Sequence, residues 1–155
     1  MSDSVDGVIQ KLEALGGNIL AGIIEGVVEF NQLVQNDAKA NVPVRTARLK
    51  NSIVTAVAIN GGEITGITGT NVKYAKPVEF GTGPRGAESM TDAPPGVTVP
   101  HRTTPWVYRD NDGNYRWTRG MPARPYLYPA FKLNKPAAKK IIAARIKKRI
   151  EEISK

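Results

Sequence analysis

The stretch Tyr74-Ala75-Lys76-Pro77-Val78-Glu79-Phe80-Gly81-Thr82 lies near the middle of the 155-residue chain, and we expect the segments on either side to pack toward it. Tyr74 and Phe80 offer large apolar groups, and Gly81 permits a positive φ that ends the segment sharply. Glu79 stands between apolar neighbours, where a carboxylate is partly desolvated and needs a cationic partner. The alternative interpretation of this stretch is a strand end with a solvated Glu79.

Length and composition predict a single domain over residues 1–155 with a core of its own. The chain has no Cys, which excludes disulfides, zinc-thiolate sites, iron-sulfur clusters and thiol catalysis. The first twenty residues lack the pattern of a signal peptide, and no stretch has the roughly 18 consecutive apolar residues of a membrane span. We therefore expect a soluble protein made in the cytosol, without membrane contact.

The net charge of +8 comes from one end of the chain. Residues 132–155 carry 9 Lys and Arg against 2 Asp and Glu, whereas residues 1–131 carry 13 against 12. No aromatic ring interrupts the basic run, so stacking on bases is not supported. Contact with phosphates and a solvated helix face both remain open.

Apolar periodicity predicts the order of the elements. A three-to-four spacing indicates a long amphipathic helix over residues 1–40, and alternation then predicts a hairpin closed by Asn60-Gly61 within residues 51–82. Proline and glycine make residues 83–105 a long loop with little regular structure. A second hairpin follows at 106–118 and a C-terminal helix at 129–153, interrupted at Pro136.

Aromatic residues dominate the second hairpin, which Asp112-Gly113 closes. Their alternation predicts a cross-strand ladder on one face, with Arg109 and Arg116 on the other. One interpretation is a stacking platform for single-stranded nucleic acid, and the other is a half-buried hairpin or a subunit contact. The absence of an adjoining basic groove favours the second. The ladder residues are Trp106, Tyr108, Tyr115 and Trp117.

A second dense stretch, Met121–Phe131, holds Arg124 between Ala123 and Pro125. A guanidinium can meet a carboxylate in a bidentate fork, so we predict an ion pair between Arg124 and Glu79 that joins distant parts of the chain. The following helix has an apolar stripe with Lys139, Lys140, Lys147 and Lys148 on the rest of its surface.

No set of residues indicates catalysis. His101 is the single His and has no companion for a metal site or a proton relay, and the carboxylates are scattered. Neither a phosphate-binding glycine loop nor a serine elbow is present. We expect a protein that is not an enzyme and holds neither cofactor nor metal.

Three stretches in this order resemble the tail-completion, or head-tail joining, proteins in the neck of long-tailed bacteriophages. They are Pro43-Val44-Arg45-Thr46-Ala47-Arg48-Leu49-Lys50-Asn51-Ser52-Ile53, then Tyr74-Ala75 through Val78-Glu79-Phe80-Gly81-Thr82, and Ala123-Arg124-Pro125-Tyr126-Leu127 through Pro129-Ala130. One departure is Ala47, where that family usually has Gly. Gly tolerates a positive φ and Ala is strained there, so the conformation of the turn before Leu49 is expected to differ from that of the family.

The resemblance implies an α+β subunit with a long N-terminal helix, a twisted antiparallel sheet built from the two hairpins, and a C-terminal helix packed on the sheet. Such subunits form a homo-oligomeric ring, a hexamer or dodecamer, in the virion neck after assembly in the host cytoplasm. The implied neighbours are head-completion or connector proteins and tail-tube or tail-terminator proteins. The residues implied in the motif and its interfaces are Tyr74, Phe80, Gly81, Trp106, Tyr108, Tyr115, Trp117, Arg124, Pro125 and Tyr126.

A ring on the virion axis would also give the basic helix a role. If its lysines line the lumen, they meet passing DNA through sequence-independent phosphate contacts. The alternative function is a small basic DNA-binding protein that acts alone through the C-terminal helix.

Overall fold

The computed structural model describes residues 2–43 and 47–153. Residues 44–46 of the first resembling stretch, and with them the turn predicted there, lie outside the described residues. Ala47 is the first residue of a short helix, where φ is negative, so alanine suits the position as well as glycine would.

The elements alternate helices with two hairpins. In chain order they are α1 (Ser2–Asn41), α2 (Ala47–Ser52), β1 (Val54–Asn60), β2 (Glu63–Gly69), α3 (Ala75–Phe80), α4 (Gly83–Ser89), β3 (Trp106–Arg109), β4 (Tyr115–Thr118), α5 (Leu127–Asn134), a 3-10 turn (Lys135–Ala137) and α6 (Ala138–Ile153). The α+β class, the long N-terminal helix, the antiparallel hairpins and the C-terminal helix are confirmed.

Several local predictions need correction. The two hairpins form two separate two-stranded sheets and not one sheet. The central stretch is neither a strand nor a strand end, because Ala75–Phe80 forms a helix. The predicted loop begins with α4, which has Pro84 in its first turn, where a missing N–H costs nothing. Residues 90–105 have no helix or strand.

The chain forms two compact units. The first consists of the chain up to Gln35, Val54–Thr68 and the chain from Lys132 onward. In it the β1–β2 hairpin turns through Gly61 and Gly62, with φ of 55° and 87°, so the turn lies one residue later than Asn60-Gly61. The hairpin packs on α1 at Gly66, where a methyl group would lie 2.8 Å from a methyl of Val27. The side chain of Asn31, 4% exposed, donates to the carbonyl of Ala56 at 3.1 Å.

Within the same unit α6 packs on α1 at two glycines. A methyl group at Gly22 would lie 2.8 Å from Cα of Ile146, and one at Gly26 would lie 2.6 Å from Cα of Ile142. The helices thus approach closely because neither position carries a side chain. The C-terminal helix is predicted to pack on the sheet, whereas α6 makes its close approaches at Gly22 and Gly26 to α1.

The second unit consists of Asn36–Ile53 and Gly69–Phe131. Its buried apolar residues lie in α1, α2, α3 and α5 or directly beside them, and Leu49, Ile53 and Tyr126 are its largest fully buried side chains. The hydroxyl of Ser52 lies 2.7 Å from that of Thr70, which links the end of α2 to the segment after β2. This unit carries the central stretch.

The register of β3 with β4 decides how the aromatic residues are distributed. Trp106 pairs with Thr118, Val107 with Trp117, Tyr108 with Arg116, and Arg109 with Tyr115. Residues directly opposite one another point to the same face. Trp106 and Tyr108 therefore share one face, and Tyr115 and Trp117 share the other. The predicted four-residue ladder on one face is wrong, because alternation within each strand does not fix the register between strands.

Candidate functional site

Glu79 holds the start of α5. Its side chain is buried, and its Oε2 accepts hydrogen bonds from the backbone N–H groups of Tyr126 at 2.7 Å and Leu127 at 3.0 Å. Its Oε1 accepts from the N–H of Tyr128 at 2.9 Å. The first N–H groups of a helix have no partner within the helix and attract negative charge. Pro129 follows and has no N–H, so Glu79 satisfies every donor from residue 126 to residue 129.

The predicted ion pair between Glu79 and Arg124 is wrong for this structure. No ion pair joins these two residues in the part of the chain that is described, and the Arg124 side chain is exposed. Arg124 contributes through its backbone, whose N–H donates to the carbonyl of Val78 at 2.8 Å. Three backbone donors at a helix start satisfy the carboxylate, so a guanidinium is not required.

Glycines allow α3 and α4 to meet the 119–123 segment. Gly81, with φ of 72°, is buried, and a methyl group on it would lie 2.6 Å from Cα of Gly86 and 2.7 Å from N of Ala123. The N–H of Thr82 donates to the carbonyl of Met121 at 2.9 Å, and the Thr82 hydroxyl accepts from the Met121 N–H at 3.0 Å. Gly81 thus has the role predicted for it, because its φ and its surroundings both exclude a side chain.

Two side chains extend this junction. The hydroxyl of Ser89 at the end of α4 accepts from the N–H of Ala123 at 2.7 Å. His101 from the irregular segment places Nε2 2.8 Å from the carbonyl oxygen of Phe80, and so donates to the end of α3. The only histidine of the sequence therefore has a structural contact.

Tyr126 is the largest fully buried side chain and is 2% exposed. Burial, followed by the negative charge of Glu79, raises the pKa of Tyr126 to about 12. Its carbonyl lies 3.5 Å from the side-chain nitrogen of Asn41 at the end of α1. Tyr126 therefore belongs to the core, whereas Tyr74, before α3, is exposed at 37%. Pro125 is also exposed.

The two faces of the β3–β4 hairpin differ in exposure. Trp106 is half-buried, lies against Gly83 and has the guanidinium of Arg102 5.4 Å above its ring. On the opposite face Tyr115 is 78% exposed and Trp117 is 77% exposed. Single exposed aromatics are ordinary, but two adjacent ones on one face of a hairpin indicate an interaction surface.

The carboxylate of Asp110 stabilises the turn of this hairpin. This carboxylate accepts from the N–H groups of Asp112 at 3.1 Å and Asn114 at 2.8 Å, and Arg116 bonds it at 2.5 Å. The Arg116 hydrogen bond, followed by the bond from the Asn114 N–H, lowers the pKa of Asp110. These bonds fix the turn between β3 and β4, the two strands of the hairpin that carries the exposed rings.

The cations of α6 divide into two groups. Arg145 pairs with Glu29 of α1 at 2.6 Å, and Arg149 pairs with Glu25. These pairs raise the pKa of each arginine and lower that of Glu25, chiefly through the hydrogen bond from Arg149. The four predicted lysines are exposed, and Lys147 lies 3.8 Å from Glu151. The four lysines, Lys139, Lys140, Lys147 and Lys148, thus remain open to solvent.

Sequence reasoning missed the roles of Gly22 and Gly26. From the sequence alone each would only be expected to weaken α1, since glycine costs roughly 1 kcal/mol in a helix interior. Their four-residue spacing places them on one face, and this was the available signal for close helix packing. The residues that donate to Glu79 carried no such signal, because a backbone N–H is the same in every residue but proline.

Among residues 2–43 and 47–153 no three His, Asp or Glu side chains come together in a way that would hold a metal ion. No helix in the described ranges is long and apolar enough to cross a membrane.

Comparison with known families shows that part of the chain is similar to a family of bacteriophage tail components. Residues 6–81 match the family described as "Bacteriophage HK97-gp10, putative tail-component". The match runs from α1 to Gly81, so it contains Glu79 but not the start of α5 that Glu79 holds. Neither the curated proteins nor the solved structures yield a match to the chain. The resemblance noted from the sequence is confirmed at the level of a tail component.

Proposed function

We propose that the protein is a tail-completion subunit that forms a homo-oligomeric ring at the head-tail junction, through which DNA passes. The observation that carries this proposal is the match of residues 6–81 to a family of tail components. The proposed neighbours are head-completion or connector proteins on one side and tail-tube or tail-terminator proteins on the other. The role is structural and involves no reaction, and assembly takes place in the host cytoplasm.

Exposed apolar groups support an assembled state. Tyr115 and Trp117 are more than three-quarters exposed, and Val54 on β1 is 61% exposed. Side chains of this size gain about 1.5 to 3 kcal/mol each on full burial, so a subunit interface is a favourable place for them. A ring uses one surface on each side of the subunit and closes without free ends.

The lysines of α6 support contact with DNA in the lumen. Lys140 and Lys147 are seven residues apart and so share a face, roughly a third of a turn or more around the helix from Ile142 and Ile146, which meet α1. Ammonium groups facing a lumen would meet phosphates without reading sequence, and the contact would weaken with salt.

Disruption of the gene in its phage or prophage tests the proposal. The lysate is imaged by negative-stain electron microscopy, and a plasmid copy of the wild-type gene serves as the control. We expect filled heads beside unattached tails, and joined particles again with the plasmid. Joined, normal particles without the gene would remove the neck assignment.

The exposed lysines favour a second candidate, a small basic protein that binds DNA alone. It predicts tight duplex binding by the isolated protein, falling steeply with salt and lost when Lys139, Lys140, Lys147 and Lys148 are changed to Ala. Lys50→Ala with Lys76→Ala, two exposed lysines in the other unit, is the control for general charge. Weak duplex binding by the isolated wild-type protein would eliminate this candidate.

A further inference from the structure

The face of the β3–β4 hairpin that carries Tyr115 and Trp117 is an exposed, mainly apolar surface with one cation. Besides Tyr115 and Trp117 it carries Val107, which is 43% exposed, and Arg109. Arg109 donates to the carbonyl of Gly113 at 3.0 Å and is held beside the rings by this bond. We call these four residues the aromatic face.

A shallow groove runs along one side of α6. Its apolar residues are Ala143, Ile146 and Ile150, and its rim carries Lys147 and Glu151. Ala143 and Ile150 have exposed side chains, so the groove is accessible in the subunit. We call these five residues the α6 groove.

The two surfaces match in length, and one charge on each, Arg109 and Glu151, is complementary. Residues 115 and 117 are spaced about 7 Å apart along a strand, and the groove from residue 143 to residue 150 is about 10 Å long, enough for two rings side by side. Arg109 lies beside the two rings, and Glu151, which has the opposite charge, lies at the rim of the groove.

We propose that the aromatic face of one subunit binds the α6 groove of a second copy of this chain, with Trp117 and Tyr115 over Ala143, Ile146 and Ile150. The two surfaces are different parts of one sequence, so the contact is head-to-tail. A head-to-tail contact generates a ring when its rotation closes. The proposal rests on the proposed function and names the subunit interface of that ring.

The absence of cysteine from the sequence allows a direct test by crosslinking. Two single-cysteine copies, Val107→Cys with one tag and Ala143→Cys with another, are expressed together in a host whose phage lacks the gene. Both changes leave Tyr115, Trp117, Ile146 and Ile150 in place. Purified particles are treated with a short bis-maleimide, and the product carrying both tags must join two different chains.

The control pair replaces Val107→Cys with Ile67→Cys. Ile67 lies on β2 and is 50% exposed, similar to Val107, but it belongs to neither surface. We expect a product with both tags from the first pair and none above background from the control. If either copy fails to restore joined particles, Arg109→Cys with Glu151→Cys is used in the same way.

Three results would overturn the inference. Particles that contain the protein but give no product with both tags would refute this interface and leave the ring proposal standing. A product from Val107→Cys alone, joining two identical tags, would mean that hairpin meets hairpin in a two-fold contact. Absence of the protein from purified particles would refute the proposed function, and the inference would fall with it.

Discussion

Carboxylates join distant segments at two places in the molecule, and they do so differently. In the second unit Glu79 is buried and binds three backbone N–H groups at the start of α5. In the first unit Glu25 and Glu29 of α1 pair with Arg149 and Arg145 of α6, and their side chains are 37% and 40% exposed. One contact is enclosed by protein and the others are open to water.

This difference predicts where the stability of each unit resides. A buried carboxylate without donors is costly, so Glu79 and the start of α5 depend on each other. Exposed ion pairs are screened by solvent and contribute little to the free energy of unfolding. The close approach of α1 and α6 at Gly22 and Gly26 should therefore hold that helix pair more than the ions beside it.

The largest effect is expected from Glu79→Ala. The substitution leaves three backbone N–H groups without their acceptor, each at a cost of about 1 kcal/mol or more, so we expect a loss of at least about 3 kcal/mol. Urea unfolding measures the free energy directly. Glu79→Gln keeps one carbonyl oxygen and should lose less.

Glu88→Ala is the matched control for Glu79→Ala. Glu88 pairs with Arg119 at 2.6 Å, but both side chains are more than half exposed. We expect the free energy of unfolding of this variant to stay close to that of the wild type. Equal losses for Glu79→Ala and Glu88→Ala would show that burial is not what distinguishes the two carboxylates.

A smaller effect is expected from Gly26→Ala. Its new methyl group would lie 2.6 Å from Cα of Ile142, and this overpacking should cost about 2 kcal/mol. Gly16→Ala in the same helix has nothing within 4 Å and should gain roughly 1 kcal/mol from helix propensity. In thermal unfolding, we expect Gly26→Ala to lower the melting temperature and Gly16→Ala to raise it. Stabilisation by both would mean that α6 does not approach α1 closely at Gly26.

The sequence predicts the class and the order of elements because periodicity reports which face of a segment is apolar. The long helix, both hairpins and the C-terminal helix follow from it. It also predicts that Glu79 contacts the segment after residue 121. The segment is correct, but the predicted ion pair with the Arg124 side chain is wrong. The donors are backbone groups, and side-chain identity carries no information about them.

Register and helix starts are the features that the sequence leaves open. The aromatic residues alternate within β3 and within β4, but pairing Val107 with Trp117 divides them between two faces. A short stretch such as Ala75–Phe80 has too few residues for its period to separate helix from strand. Tertiary contacts decide both.

Tyr126 offers a spectroscopic measure of the buried region. The sequence has five tyrosines, and with its pKa raised to about 12 Tyr126 should ionise at a higher pH than an ordinary phenol, near 10. Since the folded pKa is raised, the stability that this hydroxyl contributes is present below pH 10 and is lost as the pH rises through about 12. Ultraviolet titration should show a late phase, and Tyr126→Phe should remove it. A late phase that persists in Tyr126→Phe would assign it to another residue.

The smallest effect is expected from Glu25→Gln, because the pair with Arg149 is largely solvated. Arg149 lowers the pKa of Glu25 below its ordinary 4.5, first by a hydrogen bond and then by charge. The stability from this pair is therefore present above pH 4.5 and is lost as the pH falls below it, so the unfolding curves of variant and wild type should converge in acid. Added salt should reduce the difference at neutral pH, and Glu63→Gln on β2 is the control for a carboxylate elsewhere. If Glu25→Gln destabilises as much as Gly26→Ala at neutral pH, then the ions and not the close packing hold α6 on α1, and the contrast between the two units fails.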